Sequence, residues 1–491
     1  MKLCTSGSLW IAFLIGARMD LVIENAPDSL VKLSLYKTRY GEQAFPRTDV
    51  PVIEENLYGK PSEGYYTEIL LGNPPQEIKV LIDTGSSNFA VAGEYFNLIS
   101  HYFNVNKSTS FQDLHTPVDV PYTQGHWSGI LGSDIISVKY GFENEGKDFG
   151  HFKSVGTRVK VALIKNFSNF FINGTEWSGI LGLGYSRLSR PDTNILPVFD
   201  QLVYDRKVKN VFSIQLCSYN SLYSTHQDKV TSGTLIFGGV HRGLYEDRIF
   251  YTPIIRKWYY EVVVTDISVA GKSLGFECKT YNHDRTIVDT GTTNFRVNGV
   301  IFESIVDQMK KNEKIGIPED FWLGNELMCW SFGLTPFDSF PNLTISLSTA
   351  HSEYSHFSLL ITPQLYLREA SDDKGAGPGQ KCYRFAISKS EKGIVIGAVI
   401  MEGFYVIFDR EHSRIGFART NCHEKGKLNT NSRIFENANL NFSSRLCYAP
   451  ESLEDFDNIF KLIILVFSGI SLISIIPALL LLIKALYMSH H

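Results

Sequence analysis

The 491-residue sequence has no long block of one charge. Its 47 basic and 51 acidic residues leave a formal net charge of −4, which offers no footprint for nucleic acid. No HExxH segment occurs, and the histidine pair of His351 and His356 lies in a polar, loop-like stretch. Gly182 and Gly184 are followed by Arg187 where a dinucleotide fingerprint needs a third glycine. None of the seven cysteines forms a CxxC pair, which removes the usual zinc and redox spacings. Neither a metal nor a cofactor is expected. Amphipathic helical windows are also scarce: only VIFESIVDQMKKN (300–312) and LPVFDQLVYDRK (196–207) fit short helices. What remains is a chain of short β-prone runs broken by Gly, Pro, Asn and Asp, so a mostly β fold is expected.

Two segments stand apart from that pattern. MKLCTSGSLWIAFLIGA has a lysine near its start, an apolar run too short to span a bilayer, and small residues at its end, as in a secretory signal peptide. Residues 462–483, LIILVFSGISLISIIPALLLLI, carry no charge and are long enough to cross about 30 Å of hydrocarbon. The expected topology is a single-pass type I membrane protein, with its bulk lumenal or extracellular and only KALYMSHH on the cytoplasmic side. Six cysteines lie outside the signal segment: Cys217, Cys278, Cys329, Cys382, Cys422 and Cys447. In a secretory context this even set favours three disulfides, and spacing leaves 15 pairings open. Five glycosylation sequons, at Asn106, Asn166, Asn173, Asn342 and Asn441, all fall in the lumenal part.

The chain repeats itself. LIDTGSSNF (81–89) returns as IVDTGTTNF (287–295), and WSGILGLG (177–184) has a counterpart in KGIVIGAV (392–399). Duplicated lobes account for both pairs. One Asp-Thr-Gly turn would be an ordinary turn, since Asp and Gly are common there. Two in matching apolar contexts can bring Asp83 and Asp289 together across a pseudo-twofold axis. Like charges that close cannot both ionise freely, so the pair shares a proton; the aspartic-protease dyad is the general example of this effect. One carboxylate can then activate water while its protonated partner polarises a peptide carbonyl. Glycoside hydrolysis also uses two carboxylates, but nothing in it calls for twin DTG turns.

These residues resemble the pepsin-like aspartic proteases over roughly residues 60–425, and within them the membrane-anchored β-secretases, or memapsins. The resemblance rests on GYYTEILLGNPPQ, IDTGSSNFAV, VPYTQGHWSGILG, FFINGTEWSGILGLGY, KWYYEV, IVDTGTTNFR and AVIMEGFYVIFDREHSRIGFA. It implies a bilobal fold with pseudo-twofold symmetry and a catalytic pair of Asp83 and Asp289, supported by Thr84, Gly85, Ser86, Thr290, Gly291 and Thr292. It makes VPYTQGHW a flap, with Tyr122, Thr123, Gln124 and Trp127 over the scissile region. Leu81, Phe170 and Trp177 would line a pocket for a bulky apolar residue before the cut, and Thr293 and Arg296 would contact substrate further upstream. It also implies the disulfides Cys217–Cys422, Cys278–Cys447 and Cys329–Cys382.

The expected organisation is signal peptide 1–19, propeptide 20–59, N-terminal lobe 60–212, C-terminal lobe 213–425, stalk 426–458, transmembrane helix 459–483 and tail 484–491. Partners would be peptides or membrane proteins, amyloid-precursor-like proteins among them, cut by a monomeric catalytic domain in the Golgi, endosome or cell-surface part of the secretory route. Three departures from the β-secretase pattern are visible: DTG in place of DSG in the second loop, no paired-basic processing site near Arg47, and a tail without an acidic dileucine signal. A pepsin-like protein that has lost activity and persists as a binding protein is the alternative. Such loss usually alters a catalytic Asp or its Gly, and both copies are intact here.

Overall fold

The computed structural model describes residues 53–60, 64–123, 125–138, 155–171, 175–217, 232–331, 334, 336–370, 380–422, 430–436 and 440–448, together with Ile463, Leu465 and Ile483. The expected signal peptide, most of the expected propeptide, nearly all of the expected membrane span, the tail, Gln124 and Asn173 lie outside these residues. Among the described residues no helix is long and apolar enough to cross a membrane.

The fold is mostly β. Its N-terminal strands are β1 (Ile53–Lys60), β2 (Gly64–Leu71), β3 (Gln76–Asp83), β4 (Phe89–Ala92), β5 (Gln112–Pro121), β6 (His126–Val138), β7 (Val155–Ser168) and β8 (Gly179–Gly182). They belong to a 13-stranded sheet that continues from β1 into Gly233–Phe237, Val211–Leu216, Phe404–Asp409, Arg414–Thr420 and Tyr245–Pro253. Strands from both ends of the sequence therefore meet in one sheet. β1 is the joint: Ile53 to Leu57 pair with Gly233–Phe237, and Tyr58 to Lys60 pair with β2. The last residues of the expected propeptide thus lie inside the sheet.

The duplicated motifs occupy equivalent strand sets. In the first half β3 runs parallel to β8, β8 antiparallel to β4, and β4 parallel to β7. In the second half Thr286–Val288 runs parallel to Ile394–Ile396, which is antiparallel to Phe295–Val297, itself parallel to Ile387–Lys389. The same order of directions in both halves is the mark of a pepsin-like bilobal fold. These short inner strands are apolar on both faces because both faces are covered, as in FAVA and GILG, where every residue is buried.

The two expected helices are present as Gly299–Asn312 and Val198–Tyr204. The first begins at Asn298, whose side chain accepts from the Ile301 N–H, and it buries Ile301, Phe302, Ile305, Val306 and Met309 at helical spacing. Three disulfides join Cys217 to Cys422, Cys278 to Cys447 and Cys329 to Cys382, the pairs that the resemblance implies. The second of these holds the segment Ser444–Cys447 against helix Cys278–Tyr281.

Candidate active site

Each Asp-Thr-Gly turn starts where an inner strand leaves its sheet. Asp83 is the last residue of β3, and Asp289 follows Thr286–Val288 directly. Between them the two threonines form a reciprocal set of bonds. The Thr84 N–H donates to Thr290 Oγ1 at 3.1 Å, and the Thr290 N–H donates to Thr84 Oγ1 at 3.0 Å. Thr84 Oγ1 then donates to the Val288 carbonyl at 3.0 Å, and Thr290 Oγ1 to the Ile82 carbonyl at 2.8 Å. Each hydroxyl is used as donor and acceptor at once, so both buried threonines are satisfied and the loops are locked face to face.

The carboxylates are held in matching ways. Asp83 Oδ1 accepts from the Gly85 N–H at 2.8 Å and Asp289 Oδ1 from the Gly291 N–H at 2.9 Å. The other oxygen of Asp83 accepts from the Ser86 hydroxyl, and that of Asp289 from Thr292 Oγ1 at 2.7 Å. The glycines explain how closely the loops approach. A Cβ on Gly85 would lie 2.6 Å from Asp289 Cγ, and one on Gly291 would lie 2.3 Å from Asp83 Oδ1. No other residue fits at either place without displacing a carboxylate.

Both aspartates are buried, Asp83 at 5% and Asp289 at 8% exposure. Burial, and then the neighbouring Asp289 charge, push the Asp83 carboxyl well above the usual carboxylate range, against the opposing bonds from Ser86 and Gly85. Asp83 therefore keeps its proton above the range in which an ordinary carboxyl loses it.

The β5–β6 hairpin closes over this pair. The Tyr122 N–H donates to the Gly125 carbonyl at 3.0 Å, tightening the tip, and Trp127 Nε1 donates to the Tyr122 hydroxyl at 3.2 Å. Burial, followed by the Asp83 charge, raises the Tyr122 hydroxyl's pKa, so it stays protonated at any working pH. The Tyr122 ring stacks on Phe170 at 5.6 Å, and Phe170 meets Trp177 edge-on at 5.6 Å. Leu81 and Trp177 both approach Gly64, so Leu81, Phe170, Trp177 and Tyr122 form one apolar wall beside Asp83.

The other sequence candidates are placed less centrally. Thr123 is exposed at the hairpin tip, and Thr293 is half-buried with its carbonyl bonded to the Val399 N–H at 3.1 Å. Arg296 is half-buried on the strand after the second loop and donates to the Lys389 carbonyl at 3.4 Å. Asn106, Asn166, Asn342 and Asn441 are all exposed. Among the described residues no group of three or more His, Cys, Asp or Glu side chains could hold a metal ion.

Two features near the site carry no short sequence signal. Beside the apolar wall, Glu176 accepts from both Lys79 and the Tyr66 hydroxyl, fixing the segment that carries Trp177. Below the loops, Arg410 makes a bidentate pair with Asp200 at 2.7 and 2.9 Å under the rings of Tyr185 and Phe199. The residues involved are far apart in sequence and of types common on surfaces, so only the fold brings them together.

Known proteins share this arrangement's sequence. The family model for eukaryotic aspartyl protease matches residues 64–420. A β-secretase from Strongylocentrotus purpuratus is 38% identical over 447 residues, covering 86% of this chain and 79% of that protein. Cathepsin D from Rattus norvegicus is 30% identical over 395 residues, covering 78% of this chain and 86% of its own. Human cathepsin D is 29% identical over 389 residues, with 77% and 85% covered. With the family match spanning nearly all of the described fold, the chain belongs to the eukaryotic aspartyl proteases and is an aspartic endopeptidase close to β-secretase.

Proposed function

We propose that Asp83 and Asp289 are the catalytic dyad of a membrane-anchored endopeptidase of the β-secretase type, which sheds the ectodomains of other membrane proteins. The observation that carries the dyad is the close approach of each loop's glycine to the other loop's carboxylate. A water held between the two carboxyl groups gives up a proton to the ionised one and attacks the scissile carbonyl, whose oxygen the protonated one polarises. The tetrahedral intermediate collapses as the amine leaves with a proton returned from the dyad. No covalent enzyme intermediate forms. Ser86 and Thr292 hold the outer oxygens, while Gly85 and Gly291 supply the N–H groups that fix the inner ones.

The apolar wall of Leu81, Phe170, Trp177 and Tyr122 favours a bulky apolar side chain before the cut. Tyr122, Thr123, Gln124 and Trp127 close over the bound peptide, with Thr293 and Arg296 contacting its upstream part. Anchoring rests on residues 459–483, which carry the uncharged apolar run, and on the N-terminal signal pattern. Confinement to one bilayer raises the local concentration of juxtamembrane substrates, which favours shedding over degradation of soluble proteins. The exposed Asn106, Asn166, Asn342 and Asn441 suit N-glycans in the lumen.

The test uses the full chain in detergent micelles and a peptide with a large apolar residue before the cut, assayed from pH 3 to 8. Asp289→Asn should lower kcat roughly a thousandfold or more, and a statine-type transition-state mimic should block the native enzyme. Undiminished hydrolysis by Asp289→Asn would sink the dyad. Shedding is tested by presenting one substrate in membrane-bound and soluble form to the anchored enzyme; equal cleavage of both would refute it.

A further inference from the structure

Among the buried polar contacts that join the two lobes away from the paired threonines is the one between Tyr65 and Glu402. Tyr65, fully buried, donates its hydroxyl to Glu402 Oε1 at 2.5 Å, and Glu402 is itself 2% exposed. The residues are 337 positions apart.

Each end is wired to one aspartate through short, defined steps. On the first lobe Tyr65 lies in β2, one register step from the Tyr66–Leu81 pair, and Leu81 precedes Asp83 by two residues on β3. On the second lobe the Glu402 N–H closes the short helix Ala398–Met401 onto the Ala398 carbonyl at 2.9 Å. At the other end of that helix the N–H groups of Ala398 and Val399 donate to the carbonyls of Thr292 and Thr293 at 2.8 and 3.1 Å. Thr292 Oγ1 in turn donates to Asp289. A carboxylate this deeply buried is costly unless its acceptor sites are filled. The Tyr65 hydroxyl fills one, and the charge also acts on Arg368, which stands beside Arg384. The groups facing Glu402 thus include a phenol from one lobe and a guanidinium from the other.

We propose that Tyr65 and Glu402 are a positioning pair: their hydrogen bond is a strut between the lobes that sets the separation of the Asp83 and Asp289 carboxylates. The strut presupposes that Asp83 and Asp289 are the catalytic dyad. The threonine bonds fix the loops where they touch, Arg410 pairs with Asp200 beneath them, and the Tyr260 hydroxyl donates to the Leu183 carbonyl at 2.5 Å. The Tyr65–Glu402 bond is the tie that runs through β2 on one side and helix Ala398–Met401 on the other, the elements that lead to Asp83 and to Asp289. Substituting Tyr65 or Glu402 leaves the side chains that bond or cover the dyad, Ser86, Thr292 and Tyr122, chemically unchanged.

The experiment compares Tyr65→Phe, Glu402→Gln, Glu402→Leu and the double variant Tyr65→Phe/Glu402→Leu in the full chain, with Asp289→Asn as control. Every kcat is normalised by titrating active sites with a tight-binding transition-state mimic, so partly misfolded protein does not count. Tyr65→Phe and Glu402→Leu should each lower kcat about tenfold with KM unchanged, because misplacement of the reacting groups slows the chemical step without weakening peptide binding. The bell of kcat against pH should narrow from both sides. Carboxylates that sit farther apart repel less, so the two apparent values of the pair draw together. Glu402→Gln, which keeps an acceptor for the phenol, should stay within about threefold of native. The double variant should be no worse than the poorer single one, as for two ends of one bond. Native kcat and native pH width per active site in Tyr65→Phe or Glu402→Leu would overturn the strut while leaving the dyad standing. Full activity of Asp289→Asn would overturn both.

Discussion

The loops that carry Asp83 and Asp289 match bond for bond, while the structure above them does not match at all. Each carboxylate takes an N–H from its own glycine and a hydroxyl three residues on, and each threonine serves the other loop. Over the first loop stands the β5–β6 hairpin with its stacked Tyr122, Phe170 and Trp177. Following the second loop come Phe295–Val297 and the capped helix Gly299–Asn312, and all three disulfides begin at Cys217 or later. Duplication supplied a symmetric pair of acids. Asymmetry in what was built around each sets an aromatic hairpin on one side and disulfide-braced strands on the other.

Three measurements press on that contrast, from the strongest effect to the weakest. Gly85→Ala and Gly291→Ala put a methyl group against the opposite carboxylate, and each should lower kcat about a hundredfold. If the loops are equivalent, the two losses agree within a few-fold; a loss at only one position would break the symmetry at its centre. Tyr122→Ala has no counterpart in the second lobe. It removes the ring stacked on Phe170 and leaves the buried Trp127 Nε1–H without its acceptor, so kcat/KM should fall roughly tenfold, chiefly for peptides with a bulky residue before the cut. Equal losses for small and bulky residues would separate the β5–β6 hairpin from the apolar wall.

The smallest effect concerns stability. The carboxyl of Asp83 is raised in the folded state, so its contribution is fully present below the ordinary carboxylate range and is lost as pH rises through the raised value. Asp83→Asn has no charge to desolvate. Its Tm should therefore exceed that of the native protein by about 2–4 °C at neutral pH, and the difference should vanish near pH 3. A gain that did not depend on pH would trace to packing instead.

The sequence carried the parts of the molecule that are written in short range. Twin DTG turns, the apolar-glycine strands WSGILGLG and KGIVIGAV, and the helical spacing of 300–312 each occupy roughly a dozen residues, and each has one physical reading that fits well. The structure places the turns and strands in equivalent strand sets and forms the helix over Gly299–Asn312. Pairs of single side chains were not legible in that way. Nothing in the neighbourhood of Tyr65 names Glu402, and Lys79 and Glu176 read as ordinary surface charges until β2, β3 and the 175–177 segment are side by side. Arg296 was legible as a residue after the second loop, but its bond to the Lys389 carbonyl depends on which strand runs beside it. The start of the folded body was obscured for another reason. Residues 53–60 have the mixed polarity of a leader, yet they form a strand because partners wait on both sides.

That strand has a consequence for maturation. β1 is an inner strand of the large sheet, bonded to β2 near one end and to Gly233–Phe237 near the other. A cut that released it would split the sheet and uncover two facing rows of N–H and C=O groups, the adhesive surface from which strand-swapped dimers and aggregates grow. Any protease that trims this chain therefore has a boundary it must respect: the last safe bond lies ahead of Ile53, because the strand beyond that bond is a splice between the lobes that the protein has to keep.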